Sequence, residues 1–158
     1  MIRHGGHAMT PLYFEDIETG QTYTSHAITV LQEEIIDFAT RFDPQPQHID
    51  PVAATASLFG ELVASGWHTG ALTMRLQTDA FLCRFPGGAV GAQVDSLAWP
   101  RPVRPGDVLR AQVDILDRRE SRSRPSRGVV HVRTTTLNQR DEAVQLMTAT
   151  ILVPRRPA

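Results

Sequence analysis

The chain has 158 residues, enough for one domain with a proper core and too few to divide comfortably into two. Hydrophobic residues make up 41% and charged residues 21%, a balance that excludes a disordered or fibrous chain. With 16 Lys and Arg against 17 Asp and Glu, the formal charge of -1 gives no electrostatic reason for binding nucleic acid or a membrane surface, so a small-molecule partner is expected.

A lone cysteine, Cys83, cannot close an internal disulfide and reads as a buried, inert thiol. No secretory signal is recognisable, and no apolar run approaches the roughly 20 residues that span a bilayer; a cytoplasmic setting follows by default. Residues 1–11 read as an unstructured tail, with Met9 an alternative start, and 12–158 as a single domain. His4 and His7 have a ligand-like spacing within that tail, but no second pair lies nearby in sequence to complete a metal site.

The first element is a strand near Thr22 to Thr29. Ile35, Phe38, Ala39 and Phe42 then recur at the period of one helical face. Asp43-Pro44-Gln45-Pro46 ends that helix, because each proline removes a donor and pushes its predecessor out of the α region. Asp43 to Asp50 is accordingly expected to be an ordered, non-helical loop. After an alanine-rich, partly helical stretch from Pro51 to Phe59, Ser65-Gly66 precedes a second helix. Trp67, Ala71, Met74 and Phe81 share a stripe there, flanked by Leu72 and Leu76, and a helix so apolar is expected to be buried on several sides. Trp67 and Phe81 are read as core on this basis.

From there the period changes to 2. Leu109, Ala111, Val113 and Ile115 alternate with Arg110, Gln112 and Asp114, the pattern of a half-buried strand. Similar strands are predicted over Gln93 to Trp99, Gly128 to Leu137 and Leu146 to Val153, separated by turns at Pro105-Gly106-Asp107, Ser121 to Ser126 and Asn138 to Asp141. The expected architecture is α+β: one curved antiparallel sheet with its apolar face against one long helix.

Chemistry-bearing patterns are few. The six histidines lack metal-site spacing, and there is no G-x-S-x-G elbow, Walker loop or G-x-G-x-x-G. What remains is Asp43-Pro44-Gln45-Pro46-Gln47-His48, with a carboxylate and an imidazole five positions apart on proline-stiffened backbone. Adding water to a conjugated thioester needs a base that takes a proton from water and an acid that delivers one to the α-carbon, and an Asp and a His sharing one water suffice. On spacing alone, however, Asp43 is better read as a turn cap and His48 as filling a polar niche. The second element is Ala64-Ser65-Gly66-Trp67-His68. A helix starting here points unpaired N–H groups and the positive end of its dipole at whatever lies before it, as an enolate-like thioester oxygen requires. Equally, Ser65 can be an ordinary N-cap and Gly66 a tight start to the helix.

At these two motifs the sequence resembles the MaoC-like dehydratases, the group that includes the (R)-specific enoyl-CoA hydratases. The family's loop D-x-N-P-x-H stands here as D-P-Q-P-Q-H, and its helix start H-G-M-L as S-G-W-H. The similarity runs from about Phe14 to Arg156, through E-D-I-E-T-G-Q, A-S-G-W-H-T-G-A-L-T-M-R-L and R-P-V-R-P-G-D. The resemblance implies a hotdog fold, in which a curved antiparallel sheet wraps a long central helix, as a homodimer that joins two sheets edge to edge. It also implies a lyase of fatty acid metabolism in which Asp43 and His48 activate water and the Gly66 amide forms the oxyanion hole. Gln45, Ser65, Trp67 and His68 flank these groups as candidate substrate contacts. The substrate is then an acyl-CoA, or less readily a carrier-protein thioester, and no cofactor is needed.

Two positions depart from the family pattern. Gln45 replaces a shorter Asn, and Met74 stands where the hydratases carry a Ser eight positions after the glycine. The basic hairpin with Arg118, Arg119, Arg122, Arg124 and Arg127 offers a possible match to CoA phosphates, though it reads first as a solvated turn. Two other functions compete: a hotdog thioesterase using Glu61 or Asp79, and a non-catalytic acyl-CoA-binding subunit of a heteromeric hydratase.

Overall fold

The computed structural model describes residues 9–158. The tail histidines His4 and His7 therefore lie outside the described residues. Met9, Thr10 and Pro11 are exposed, and the Thr10 carbonyl accepts a hydrogen bond from Arg84 Nε at 3.1 Å.

Strands β1 (Thr22–Thr24) and β2 (Ile28–Thr29) precede helix α1 (Gln32–Phe42), a single helical turn α2 (Pro46–Ile49) and the long helix α3 (Gly66–Ala80). Four long strands follow: β3 (Val90–Ala98), β4 (Val108–Glu120), β5 (Arg127–Leu137) and β6 (Ala143–Pro154). All pairings are antiparallel, in the order β1-β4-β5-β6-β3, with β2 also on β4. The predicted early strand is thus split in two, and its halves pair with the two ends of the Val108–Asp114 stretch of β4.

The expected loop after α1 contains a helical turn. Pro44 does end α1, but Pro46 occupies the first position of α2, where its missing N–H costs nothing and its fixed φ suits the helix. Only the segment between the two prolines is extended.

The alternation read in β4 is realised, with Leu109, Ala111, Val113 and Ile115 turned inward. On β6, Ala149, Ile151 and Val153 do the same. One cluster of buried side chains gathers Phe14, Ile17 and Phe81 against Val113, Val132 and Ile151. A second joins Ile35 of α1 and Leu76 of α3 to Leu109 and Val144.

Helix α3 packs the other way round from its apolar stripe. Trp67, Ala71 and Met74 are exposed, whereas Thr69, Thr73 and Gln77 are buried. Burial of these polar groups is tolerated because Thr69 donates to the Ser65 carbonyl at 3.4 Å and the other two find partners on β5, whose inward positions change from Val130 and Val132 to Thr134 and Thr136. Thr73 and Thr136 hydroxyls meet at 2.6 Å, and Thr134 donates to Gln77 Oε1 at 2.9 Å. The expectation that Trp67 belongs to the core is therefore corrected, while Phe81 is fully buried as expected. Cys83, also expected inside, is exposed just beyond α3.

Gly128 shows how tightly the far end is closed. A Cβ there would sit 2.0 Å from Cδ2 of Phe14, whose ring is sandwiched between β5 and the Arg118 guanidinium at 4.2 Å. Gly128→Ala should cost about 2 kcal/mol or more by overpacking. Urea denaturation of Gly128→Ala alone and combined with Phe14→Leu checks this: the double variant should lose clearly less than the sum of the two single losses.

Candidate active site

The end of α1, the turn α2 and the start of α3 converge on one carboxylate. Asp43 is the C-cap of α1, its backbone N–H bonded to Ala39 O at 2.8 Å. The two prolines then turn the chain so that His48 in α2 comes back beside it, with His48 Nε2 3.5 Å from Asp43 Oδ2. Ser65, fully buried at the N-cap of α3, donates its hydroxyl to the same Oδ2 at 2.7 Å while accepting from Trp67 N–H at 3.3 Å. Gln45 Nε2 donates to the other oxygen, Oδ1, at 2.7 Å.

These contacts set the protonation states. The Ser65 hydroxyl, with smaller contributions from Gln45 and the His48 ring, holds the Asp43 carboxyl below the ordinary carboxylate range against an opposing effect of burial. Asp43 is accordingly ionised at neutral pH. His48 is buried, and its Nδ1 lies 2.7 Å from the Val63 carbonyl. A carbonyl can only accept, so Nδ1 carries the proton, and in the neutral ring Nε2 is a bare acceptor aimed at the carboxylate. Two acceptors 3.5 Å apart cannot hydrogen-bond each other. They can be satisfied by a proton on Nε2 or by a molecule that donates to both.

The Val63 carbonyl is itself fixed, since Val63 N–H bonds to Gln47 O at 3.0 Å and Ala64 N–H to Val103 O at 2.8 Å. Beside His48 opens a cavity of about 370 Å³ that also exposes Gly66, Thr69 and Trp99. Among the described residues the Gly66 N–H has no hydrogen-bond acceptor, and the first N–H of a helix has none within the helix. Gly66 cannot carry a side chain, because a Cβ would lie 2.8 Å from Cδ2 and Cε2 of the Trp99 indole.

Asp43, His48, Ser65, Gln45 and Gly66 are thus brought together. Trp67 lies at the edge of the group, exposed and packed against Trp99 at 5.4 Å with rings near perpendicular. His68 is turned away, buried and stacked on Phe38 of α1 at 4.9 Å, where burial lowers its pKa. The thioesterase candidates are elsewhere engaged: Glu61 is ion-paired with Arg104, and Asp79 with Arg75 at 2.8 Å. Neither lines the cavity, nor does the arginine hairpin of the same chain. Trp99 and Gln145 were not singled out by the sequence. The only available signal was an aromatic residue at the end of a strand immediately before Pro100 and Pro102.

The family described as MaoC like domain matches residues 15–138, and the chain belongs to that family. The crystal structure of a MaoC-like dehydratase from Rhodospirillum rubrum is 46% identical, covers 93% of this chain and 99% of its own, and superposes with a TM-score of 0.87. Uncharacterized protein YdeM of Bacillus subtilis is 28% identical over 143 residues, 89% of this chain and 98% of its own length. The 3-hydroxyacyl-thioester dehydratase Z of Mycobacterium tuberculosis is 35% identical over 85 residues, covering 53% of this chain and 56% of the relative. The curved antiparallel sheet around a central helix is the hotdog fold. Among the described residues no helix is long and apolar enough to cross a membrane.

The Ser65 hydroxyl is the largest cause of the depressed Asp43 pKa, so Ser65→Ala should raise it towards the ordinary value of about 3.9. A depressed carboxylate stabilises the fold above its unfolded pKa, and this contribution is lost as pH falls through the folded value. The variant should therefore lose about 1–2 kcal/mol at pH near 6, from the cap and the carboxylate together, and visibly less at pH near 2. Denaturation curves at the two pH values, with the Asp43 carboxyl titrated by NMR, test the sign.

Proposed function

We propose that the protein is a hydratase or dehydratase that adds water to, or removes it from, the double bond of an acyl thioester of the enoyl-CoA type. The observation that carries this reading is the bare Nε2 of His48, 3.5 Å from the Asp43 carboxylate that lies behind the cavity wall, with His48 and Gly66 lining one cavity. Membership of the MaoC-like family supports it.

In the hydration direction, a water donates one hydrogen bond to Asp43 and one to His48. Its oxygen attacks the β-carbon while His48 Nε2 takes a proton, and the electron pair of the double bond moves onto the thioester oxygen. Gly66 N–H and the start of α3 stabilise that oxygen as it becomes enolate-like. The imidazolium is held by the Val63 carbonyl on one side and the Asp43 carboxylate on the other. It then returns the proton to the α-carbon, so that H and OH are both added and the site is restored. Asp43, a weak base with its pKa depressed, orients the water and stabilises the imidazolium rather than taking the proton itself. No cofactor enters these steps.

Hydration of crotonyl-CoA, followed by loss of the conjugated thioester absorbance, should fall by about 10²- to 10⁴-fold in both Asp43→Asn and His48→Ala. Unchanged rates in the two variants would end the mechanism.

The protein is further proposed to act as a homodimer. Strand β3 forms one edge of the sheet, and all but one of its residues are exposed, including Val90 and Val94. Next to it, a groove of about 400 Å³ lies between β3, β6 and the outward stripe of α3, lined by Met74, Val94 and Met147. An apolar edge beside an apolar helix face invites a second identical edge, which pairs β3 with β3 and covers both stripes. Val94→Arg should convert the dimer to monomer in sedimentation equilibrium.

A further inference from the structure

We propose that Trp99 is the specificity-determining wall of the site and restricts the substrate to short acyl groups, an inference that rests on the acyl-thioester reading of the cavity. The indole lies flat against the Cα of Gly66, so close that a Cβ on that residue would stand 2.8 Å from two ring carbons and 3.1 Å from a third. Whatever accepts a hydrogen bond from Gly66 N–H therefore passes alongside this ring.

The ring is fixed rather than adaptable. Its Nε1 donates to Oε1 of Gln145, a fully buried residue of β6, at 2.8 Å. Trp67 braces the indole edge-on. The backbone beyond it is stiffened by Pro100 and Pro102, which line the same cavity. A displaced indole would lose its hydrogen bond and leave a buried amide oxygen unpaired, at a cost that the extra methylenes of a longer acyl chain must overcome.

Size points the same way. The cavity, about 370 Å³, is at the small end of the range of ~300–1,000 Å³ for ligand pockets, and it must also hold the thioester and the end of the pantetheine arm. Little room remains for the acyl tail while the indole stays in place.

The test compares crotonyl-CoA with trans-2-octenoyl-CoA in the wild type, Trp99→Ala and Trp99→Phe, reading kcat/KM. Calorimetric affinities for butyryl-CoA and octanoyl-CoA, which lack the double bond, are measured on the same proteins. The wild type should favour the short chain by about tenfold or more in both measurements. Trp99→Ala should shrink that ratio by about tenfold through a gain on the long chain, with Trp99→Phe between the two. A ratio unchanged in Trp99→Ala, or a wild type that prefers the octyl chain, overturns the proposal. If nothing is hydrated but the affinity ratios behave as described, the hydratase reading falls and the wall stands. If crotonyl-CoA is not hydrated and neither saturated thioester binds the wild type, both fall.

Discussion

The hydrogen bond from the Ser65 hydroxyl to the Asp43 carboxylate joins the end of α1 to the start of α3, and the site is built around it. One contact does three things: it caps the long helix through the same oxygen that accepts from Trp67, it keeps the carboxylate ionised, and it sets the distance between that carboxylate and the Gly66 N–H. The buried setting makes the arrangement stiff, since Ser65 has no solvent to exchange with.

A second constraint holds the imidazole. Its Nδ1 proton is bound by the carbonyl of Val63, and the backbone around Val63 is tied on one side to α2 and on the other to the segment leading into β4. The tautomer of His48 thus depends on main-chain geometry that reaches from the turn to the sheet. This is why a site made of short sequence motifs still needs more than those motifs: the loop supplies the side chains, and bonds to α2 and to the segment before β4 fix the carbonyl that decides which nitrogen is bare.

The helix around which the sheet curves is polar where it faces β5, while Leu76 packs against Leu109 and Val144. Thr73, Gln77, Thr134 and Thr136 form a satisfied layer inside, and Trp67 and Met74 remain outside. A buried network of this kind contributes less through its area than through its direction, because only one register of α3 on β5 satisfies all four groups. The exposed stripe lies next to the unpaired edge of β3.

Period and punctuation in the chain were sufficient for α1, for α3 and for the strands from Gln93 onward, because alternation and helical spacing are local properties of neighbouring residues. The D-P-Q-P-Q-H and S-G-W-H segments likewise marked the carboxylate, the imidazole and the helix start. What the residues could not convey was which side of α3 faces its own sheet, since a stripe of Trp67, Ala71 and Met74 has the same period whether it meets a core or another chain. Nor could they place Cys83 outside, turn His68 towards Phe38, or put the Trp99 indole on Gly66 across a gap of more than thirty positions. Those are contacts between distant segments, and they are decided only when the sheet closes around the helix and the segments pack against one another.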